Sequence, residues 1–286
     1  MAARRKVCPI GAHVPVGGGL ARRGLSYADT VGAETVQVFV SNPRGWAPAA
    51  GKPAEDEAFR AGCADRGITA FIHSPYLINF GSPTPETLRK SVAATAHSLL
   101  RGADIGATGV VVHAGSAVAG AHRDEALKQL REHVLPLLDD LPEGAPRLLI
   151  EPTAGGGQAL AARVEQLEEY FDALDRHPRL GVCLDTCHVF AAGHDLTETG
   201  GVRRLMTALT KAVGQGRLGL VHANDSKDPA GSTRDRHTTI GSGCIGTEPF
   251  AQLLNHPAVR GVPVLVETPE EGAADDIATL KALRPA

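Results

Sequence analysis

The sequence predicts an α/β fold, a closed (β/α)8 barrel, as a single domain spanning residues 1–286. Three observations carry that expectation: short apolar β-branched runs recur eight times, helix-patterned segments separate most of them, and no linker divides the chain. In order, the runs are Val7–Val14, Thr35–Val40, Ile68–Ser74, Gly109–Gly115, Arg147–Thr153, Leu180–Thr186, Leu218–Asn224 and Pro263–Thr268. Each is too short for an ordinary helix. Stretches such as VVVH, LLIE and VLVE are apolar at consecutive positions, the pattern of a strand buried on both faces in a parallel sheet. Between them, Pro85–Gly102, Arg123–Leu138, Ala161–Asp175, Arg203–Val213 and Glu248–Leu254 are rich in Ala, Leu, Glu and Arg at helical spacing. Strand then helix, repeated over a chain of this length, is the TIM-barrel pattern. A doubly wound open sheet is the alternative, because strand count alone does not establish closure. The Pro/Gly-rich stretches Asn42–Pro53, Pro152–Gly157 and Asp228–Gly246 each follow a strand and read as loops on the face where barrel active sites lie.

Composition narrows the class. With 43% hydrophobic and 21% charged residues the chain is neither disordered nor collagen-like. Its 7 Phe, 3 Tyr and 1 Trp leave the core to aliphatic packing. A net charge of −3 and pI near 6.5 argue against a generally basic nucleic-acid binder, so any polyanion partner needs a local positive site. Five cysteines, odd in number and without a repeated CxxC, favour a reducing compartment over a disulfide framework. The basic start Met1–Lys6 is followed by His13, Pro15 and Gly17 to Gly19 before any signal-like apolar run develops. No stretch approaches the ~18 apolar residues of a membrane span. The expectation is a soluble, cytoplasmic protein without membrane association, with a monomer the simplest assembly.

Polar residues recur at strand ends. In seven of the eight runs a His, Asp or Glu lies at or next to the carboxyl end: His13, His73, His113, Glu151, Asp185, His222 and Glu267. Any one of these suits a hydrogen-bonded core histidine or an interloop ion pair, but a barrel brings all seven to one face. Ionisable groups converging in an apolar funnel are costly unless paired or coordinated. Asp185 and His188 add a carboxylate and an imidazole three residues apart, and Asp235 and His237 form a second pair in an extended loop. His73, His113, Glu151, Asp185, His188, His222, Asp235, His237 and Glu267 exceed what one ion needs and suit two or three. Imidazole and carboxylate without thiolate fit Zn²⁺, with Mn²⁺ or Fe²⁺ as alternatives.

The segments IGAHV (10–14), HSPYLINFGS (73–82), LDTCHVFAAGHD (184–195), HANDSK (222–227) and RDRHTTIGSGCIG (234–246) closely resemble, in this order, the endonuclease IV family of abasic-site DNA-repair nucleases. The resemblance covers almost the full chain. It implies a barrel with three divalent metal ions, usually zinc: His73, His113 and Glu151 at the first, Glu151, Asp185, His222 and Glu267 at the second, and His188, Asp235 and His237 at the third. Glu151 bridges the first two, and Glu151 and Glu267 are the implied catalytic carboxylates. His13 matches a family position that is not a ligand. Pro152 and Ala114 depart from residues common in the family, which puts contacts around the ligands in question but none of the ligands.

What the family implies is hydrolysis of the phosphodiester 5′ to abasic sites in duplex DNA, leaving a 3′-hydroxyl, with 3′-blocking lesions as further substrates. Clustered ions lower the pKa of a shared hydroxide and neutralise phosphoryl charge. By similarity, Arg44, Tyr76 and Leu77 enter the helix at the lesion, and Lys227 and Arg236 are candidate phosphate contacts. A metal-dependent sugar isomerase on the same barrel is the alternative enzyme; it needs one or two ions, so the third ligand set discriminates. The GxGxxG at Gly241–Gly246 follows polar RDRHTT rather than a buried strand, and fails as a dinucleotide fingerprint. Cys183 and Cys187 are read as small buried hydrophobes.

Overall fold

The computed structural model describes residues 7–118 and 123–285. The basic segment Met1–Lys6, and with it the outer limits of the predicted domain, lies outside them. Among the described residues, seven parallel strands run round the barrel in chain order: β1 (Ile10–His13), β2 (Thr35–Val38), β3 (Thr69–His73), β4 (Gly109–His113), β5 (Arg147–Glu151), β6 (Leu180–Asp185) and β7 (Leu218–His222). A two-residue antiparallel pair, β8 (Asp225–Ser226) and β9 (His237–Thr238), follows, and β10 (Val264–Val266) closes the ring between β7 and β1. Closure is visible on both edges of β1: Ile10 to Ala12 pair with Val264 to Val266, and Ala12 and His13 with Val36 and Gln37. That removes the open-sheet alternative. All eight predicted runs contain a barrel strand, shorter than the run by one to four residues.

Helices return the chain between strands: α1 (Ser26–Val31, continuing a π-helical Leu20–Leu25), α2 (Pro53–Arg66), α3 (Pro85–Ile105), α4 (Arg123–His133), α5 (Leu135–Asp139), α6 (Leu167–Ala173), α7 (Thr186–Ala191), α8 (Gly201–Val213), α9 (Thr247–Asn255) and α10 (Glu270–Leu283). Proline in the first turn of α2 and α3 supplies a preset φ where no amide donor is needed. The predicted helix Arg123–Leu138 splits into α4 and α5 because Pro136 cannot donate to the preceding turn and crowds its carbonyl. The predicted Ala161–Asp175 helix starts later, with a 3-10 turn at Val164–Gln166 leading into α6.

Strand alternation sorts the apolar residues into two cores. Ile72, Val110, Val112, Leu148, Ile150, Val182, Leu184, Val264 and Val266 face outward and pack under the helices. Phe71, Val111, Leu149, Cys183, Leu220 and Leu265 face inward and plug the barrel. Leu149 is accommodated by missing side chains: a Cβ at Gly109 would lie 2.7 Å from Leu149 Cδ1, and one at Gly181 2.6 Å from Cδ2. Two residues beyond each floor position, on the same inward face, come His73, His113, Glu151, Asp185, His222 and Glu267. The floor therefore carries the polar layer. No described helix is long and apolar enough to cross a membrane.

Candidate metal centre

Glu151 stands at the middle of the mouth. Its Oε2 lies 3.3 Å from His73 Nε2 and 3.4 Å from His113 Nε2, and its Oε1 lies 2.9 Å from His222 Nδ1 and 3.5 Å from His188 Nδ1. His222 Nδ1 is also 3.2 Å from Glu267 Oε2 and 3.9 Å from Asp185 Oδ2. On the far side Asp235 spans two imidazoles, with His188 Nε2 at 3.1 Å and His237 Nε2 at 2.9 Å, and His237 Nε2 reaches Asp185 Oδ2 at 3.7 Å. All nine predicted ligands meet in one continuous cluster. Ligand atoms of His73, His113 and Glu151 lie within 4.8 Å of one another, as do those of Glu151, Asp185, His222 and Glu267, and those of Asp185, His188 and His237.

These residues fit bound cations better than they fit each other. Glu151 Oε2 and His237 Nε2 are buried without a hydrogen-bond partner among the described residues, an arrangement that is expensive unless another group satisfies them. Outer contacts aim the rings: His73 Nδ1 donates to Ser74 O at 2.7 Å and His188 Nδ1 to Pro152 O at 3.1 Å, turning each Nε2 inward. The His188 contact is to a backbone carbonyl, which proline retains, so Pro152 does not cost His188 its support. Ala114 is fully buried and its amide donates to Glu151 O at 2.9 Å. Asn224 Nδ2 bridges Asp185 Oδ2 at 2.7 Å and Glu267 Oε2 at 3.2 Å.

The electrostatics describe a cluster holding protons where cations would sit. Burial raises the Glu151 carboxyl, but the charge and hydrogen bond of His222, with His73 and His113 close by, outweigh it and hold it well below the usual range. Burial disfavours a charged His222, yet Glu267, Glu151 and Asp185 lift it to about 9. His237 reaches about 12, burial again being overcome by the negative charge of Asp185 and the nearness of Asp235. His113 is depressed to about 4, chiefly by burial, so its lone pair is free at neutral pH. Asp185 is raised by burial, which His188 and His237 only partly oppose.

The remaining predicted residues lie on loops at the same mouth. Tyr76 is 47% and Leu77 38% exposed, unusual for large apolar side chains in this structure. The Tyr76 ring stacks on His113 at 5.7 Å and meets His73 edge-on at 5.2 Å. Its amide donates to Pro43 O at 2.9 Å, joining its loop to the one carrying exposed Arg44. Lys227 is exposed, while Arg236 directs Nε (2.6 Å) and Nη2 to Asp228. His13 lies beside Phe39 with ring centroids 4.5 Å apart, and burial holds it at about 4.

Sequence reasoning missed three supporting residues. Gln37 breaks the apolar alternation of β2, and Asn224 and Asp225 sit inside HANDSK; all three are fully buried. Asp225 explains the glycine motif: its Oδ2 accepts from the amides of Gly241, Gly243 and Gly246 at 2.9, 3.1 and 3.3 Å, and its Oδ1 from Ser226 and Ile245. A Cβ at Gly243 would fall 2.4 Å from Asp225 Oδ1. The nest wraps an internal carboxylate and fixes the loop after His237. Cys183 belongs to the barrel floor as expected, its thiol pushed up by burial. Cys187 is also fully buried, but its sulfur lies within ligand reach of Asp235 and His237.

A parallel barrel with a histidine and carboxylate cluster at its mouth defines the class, and residues 25–283 match the family described as the xylose isomerase-like TIM barrel. A protein of Streptomyces avermitilis described as probable endonuclease 4 is 58% identical over 279 residues, covering 96% of this chain and 90% of that one. The crystal structure of endonuclease IV from Thermus thermophilus superposes with TM-score 0.84 at 35% identity, over 96% of this chain and 98% of that one. A xylose isomerase domain protein from Planctomyces limnophilus, with TM-score 0.70 and 19% identity over 98% of both chains, shares the fold alone. The chain belongs to the endonuclease IV family.

Proposed function

We propose that this chain is a metal-dependent endonuclease that hydrolyses the phosphodiester 5′ to abasic sites in duplex DNA, leaving a 3′-hydroxyl. The observation that carries the reading is the buried Glu151 carboxylate, ringed by His73, His113, His188 and His222 with Oε2 unpaired. His73, His113 and Glu151 would hold one divalent cation, Glu151, Asp185, His222 and Glu267 a second, and His188, Asp235 and His237 a third. Zinc suits this donor set, with Mn²⁺ or Fe²⁺ as alternatives. Bound there, such ions supply Lewis-acid stabilisation of phosphoryl oxygens and activation of water.

The chain's own residues do the rest. Glu151 and Glu267 place carboxylates where protons and positive charge gather. Tyr76 stacks on His113 of the first ligand set and, with its exposed neighbour Leu77, would form an apolar wedge filling the space left by an unstacked sugar. Arg44 lies on the loop tied to Tyr76, and Lys227 and Arg236 flank the third ligand set as phosphate contacts. Arg236 would engage a phosphate while partly neutralised by Asp228, so its contribution is smaller than a free arginine's. A cytoplasmic monomer acting on abasic or 3′-blocked DNA completes the reading. The His188, Asp235 and His237 set separates it from a sugar isomerase, which has no use for a third cation.

The test is incision of a duplex carrying one abasic site, with and without prolonged chelation, followed by zinc. Cutting that is lost on chelation and restored by zinc is expected. Undiminished cutting by metal-free protein, or no cutting by protein with full zinc, overturns the proposal.

A further inference from the structure

Three imidazoles of the cluster have the ring nitrogen turned away from their proposed cation engaged. For His73 and His188 the partner is a backbone carbonyl, which the fold provides whatever the side chain. For His222 it is a side chain: Nε2 lies 2.9 Å from Gln37 Oε1. Gln37 sits on β2, fully buried and facing into the barrel, where an unsatisfied amide would be costly.

Chemistry fixes which way the amide points. Gln37 Nε2 lies 2.8 Å from Glu267 Oε1 and 3.0 Å from His13 Nδ1. An ionised carboxylate only accepts hydrogen bonds, so the NH2 end must face Glu267. The carbonyl is left for His222, and it too only accepts, so His222 must carry a proton on Nε2. Its Nδ1 then faces Glu151 at 2.9 Å and Glu267 at 3.2 Å. The second amide hydrogen goes to His13 Nδ1, which must accept. Every hydrogen-bonding group of Gln37 is used, and two of its three partners belong to one ligand set.

We propose that Gln37 is a positioning residue for the second cation: a single amide selects the His222 tautomer that offers Nδ1 and holds the Glu267 carboxylate beside it. This rests on the ligand assignment proposed above. A methionine at 37 would fill the same space but leave His222 Nε2 and Glu267 Oε1 without their partner. Loss of such outer contacts typically weakens metal binding by about 10–100-fold.

Zinc-loaded wild type and Gln37→Met are compared by titration with a colour-changing chelator, with elemental analysis after each step. One of three zinc equivalents should leave the variant at about 10–100-fold lower chelator concentration, with the other two unchanged and circular dichroism at wild-type values. Identical release of all three equivalents would overturn the proposal. Nitrogen-15 NMR of the histidine rings in zinc-loaded wild type gives a reading that needs no variant. His222 should show a protonated Nε2 and a zinc-shifted Nδ1; the reverse pattern rules Gln37 out even if the variant fails to fold. A wild-type chain that holds no zinc at all overturns the ligand assignment itself, a result distinct from either.

Discussion

The floor and the mouth of this barrel are built by the same strands, two residues apart, and behave as opposites. In the floor, Phe71, Val111, Leu149, Cys183, Leu220 and Leu265 satisfy one another by contact, and removing atoms leaves a hole. In the mouth, His73, His113, Glu151, Asp185, His222 and Glu267 leave buried polar atoms unpaired or holding protons that cations would displace. Strand geometry delivers either layer to the same axis, and the side chains alone decide whether that layer contributes stability or chemistry. The floor makes the mouth possible, because it closes the barrel from below and fixes the strand ends from which the polar side chains project.

The largest effect is expected from Glu151→Gln. The shape is kept and the shared carboxylate is lost, so incision should fall by about 10³-fold or more, well beyond the 10–100-fold typical of an outer partner. Elemental analysis should show at least one zinc equivalent missing. Retained activity and zinc would mean that Glu151 is a packed acid rather than a shared ligand. Leu149→Ala does the converse: a cavity in the floor should cost about 2–5 kcal/mol, read as a lowered melting temperature, with zinc still bound. A variant as stable as the parent would show the floor to be loosely packed.

A smaller effect is expected above the proposed metal sites. Tyr76→Ala and Leu77→Ala should each weaken binding of abasic duplex by about 10-fold, roughly 1.4 kcal/mol, and leave zinc content untouched. Unchanged affinity on electrophoretic titration would reduce both residues to loop packing.

The smallest effect is on pH dependence. In the metal-free protein His222 is raised from 6.5 to about 9, so its stabilising contribution is complete below about pH 6.5 and disappears as pH climbs through about 9. Metal-free protein should therefore melt at progressively lower temperature across that interval. Zinc affinity should move the opposite way, rising toward pH 9 because the ligands must shed protons to bind. A zinc affinity flat across the interval would contradict the linkage.

Much of this was legible in the residues. VVVH, LLIE and VLVE announced buried parallel strands and placed a His or Glu at each end, and the fixed two-residue period of a strand guaranteed that those side chains share a face. Asp235 and His237 were legible as a pair because an extended loop keeps alternate side chains together. Gln37 was not, since a lone amide in TVQVF shows its meaning only once β2 is set across the barrel from β7 and the end of β10. Rejecting the glycine pattern as a dinucleotide fingerprint left the carboxylate role of Asp225 unseen, because a nest of amides looks alike in sequence whether it holds a phosphate or an aspartate. The break at Pro136 was visible, but a continuous apolar spacing masked it.

Anomalous X-ray scattering at the zinc edge, from crystals of the zinc-loaded protein, would locate the cations at this mouth. Three peaks are expected at the barrel mouth, one beside His73 and His113, one beside His222 and Glu267, and one between His188 and His237. A map with a single peak there, or with zinc held elsewhere on the surface, would contradict the account.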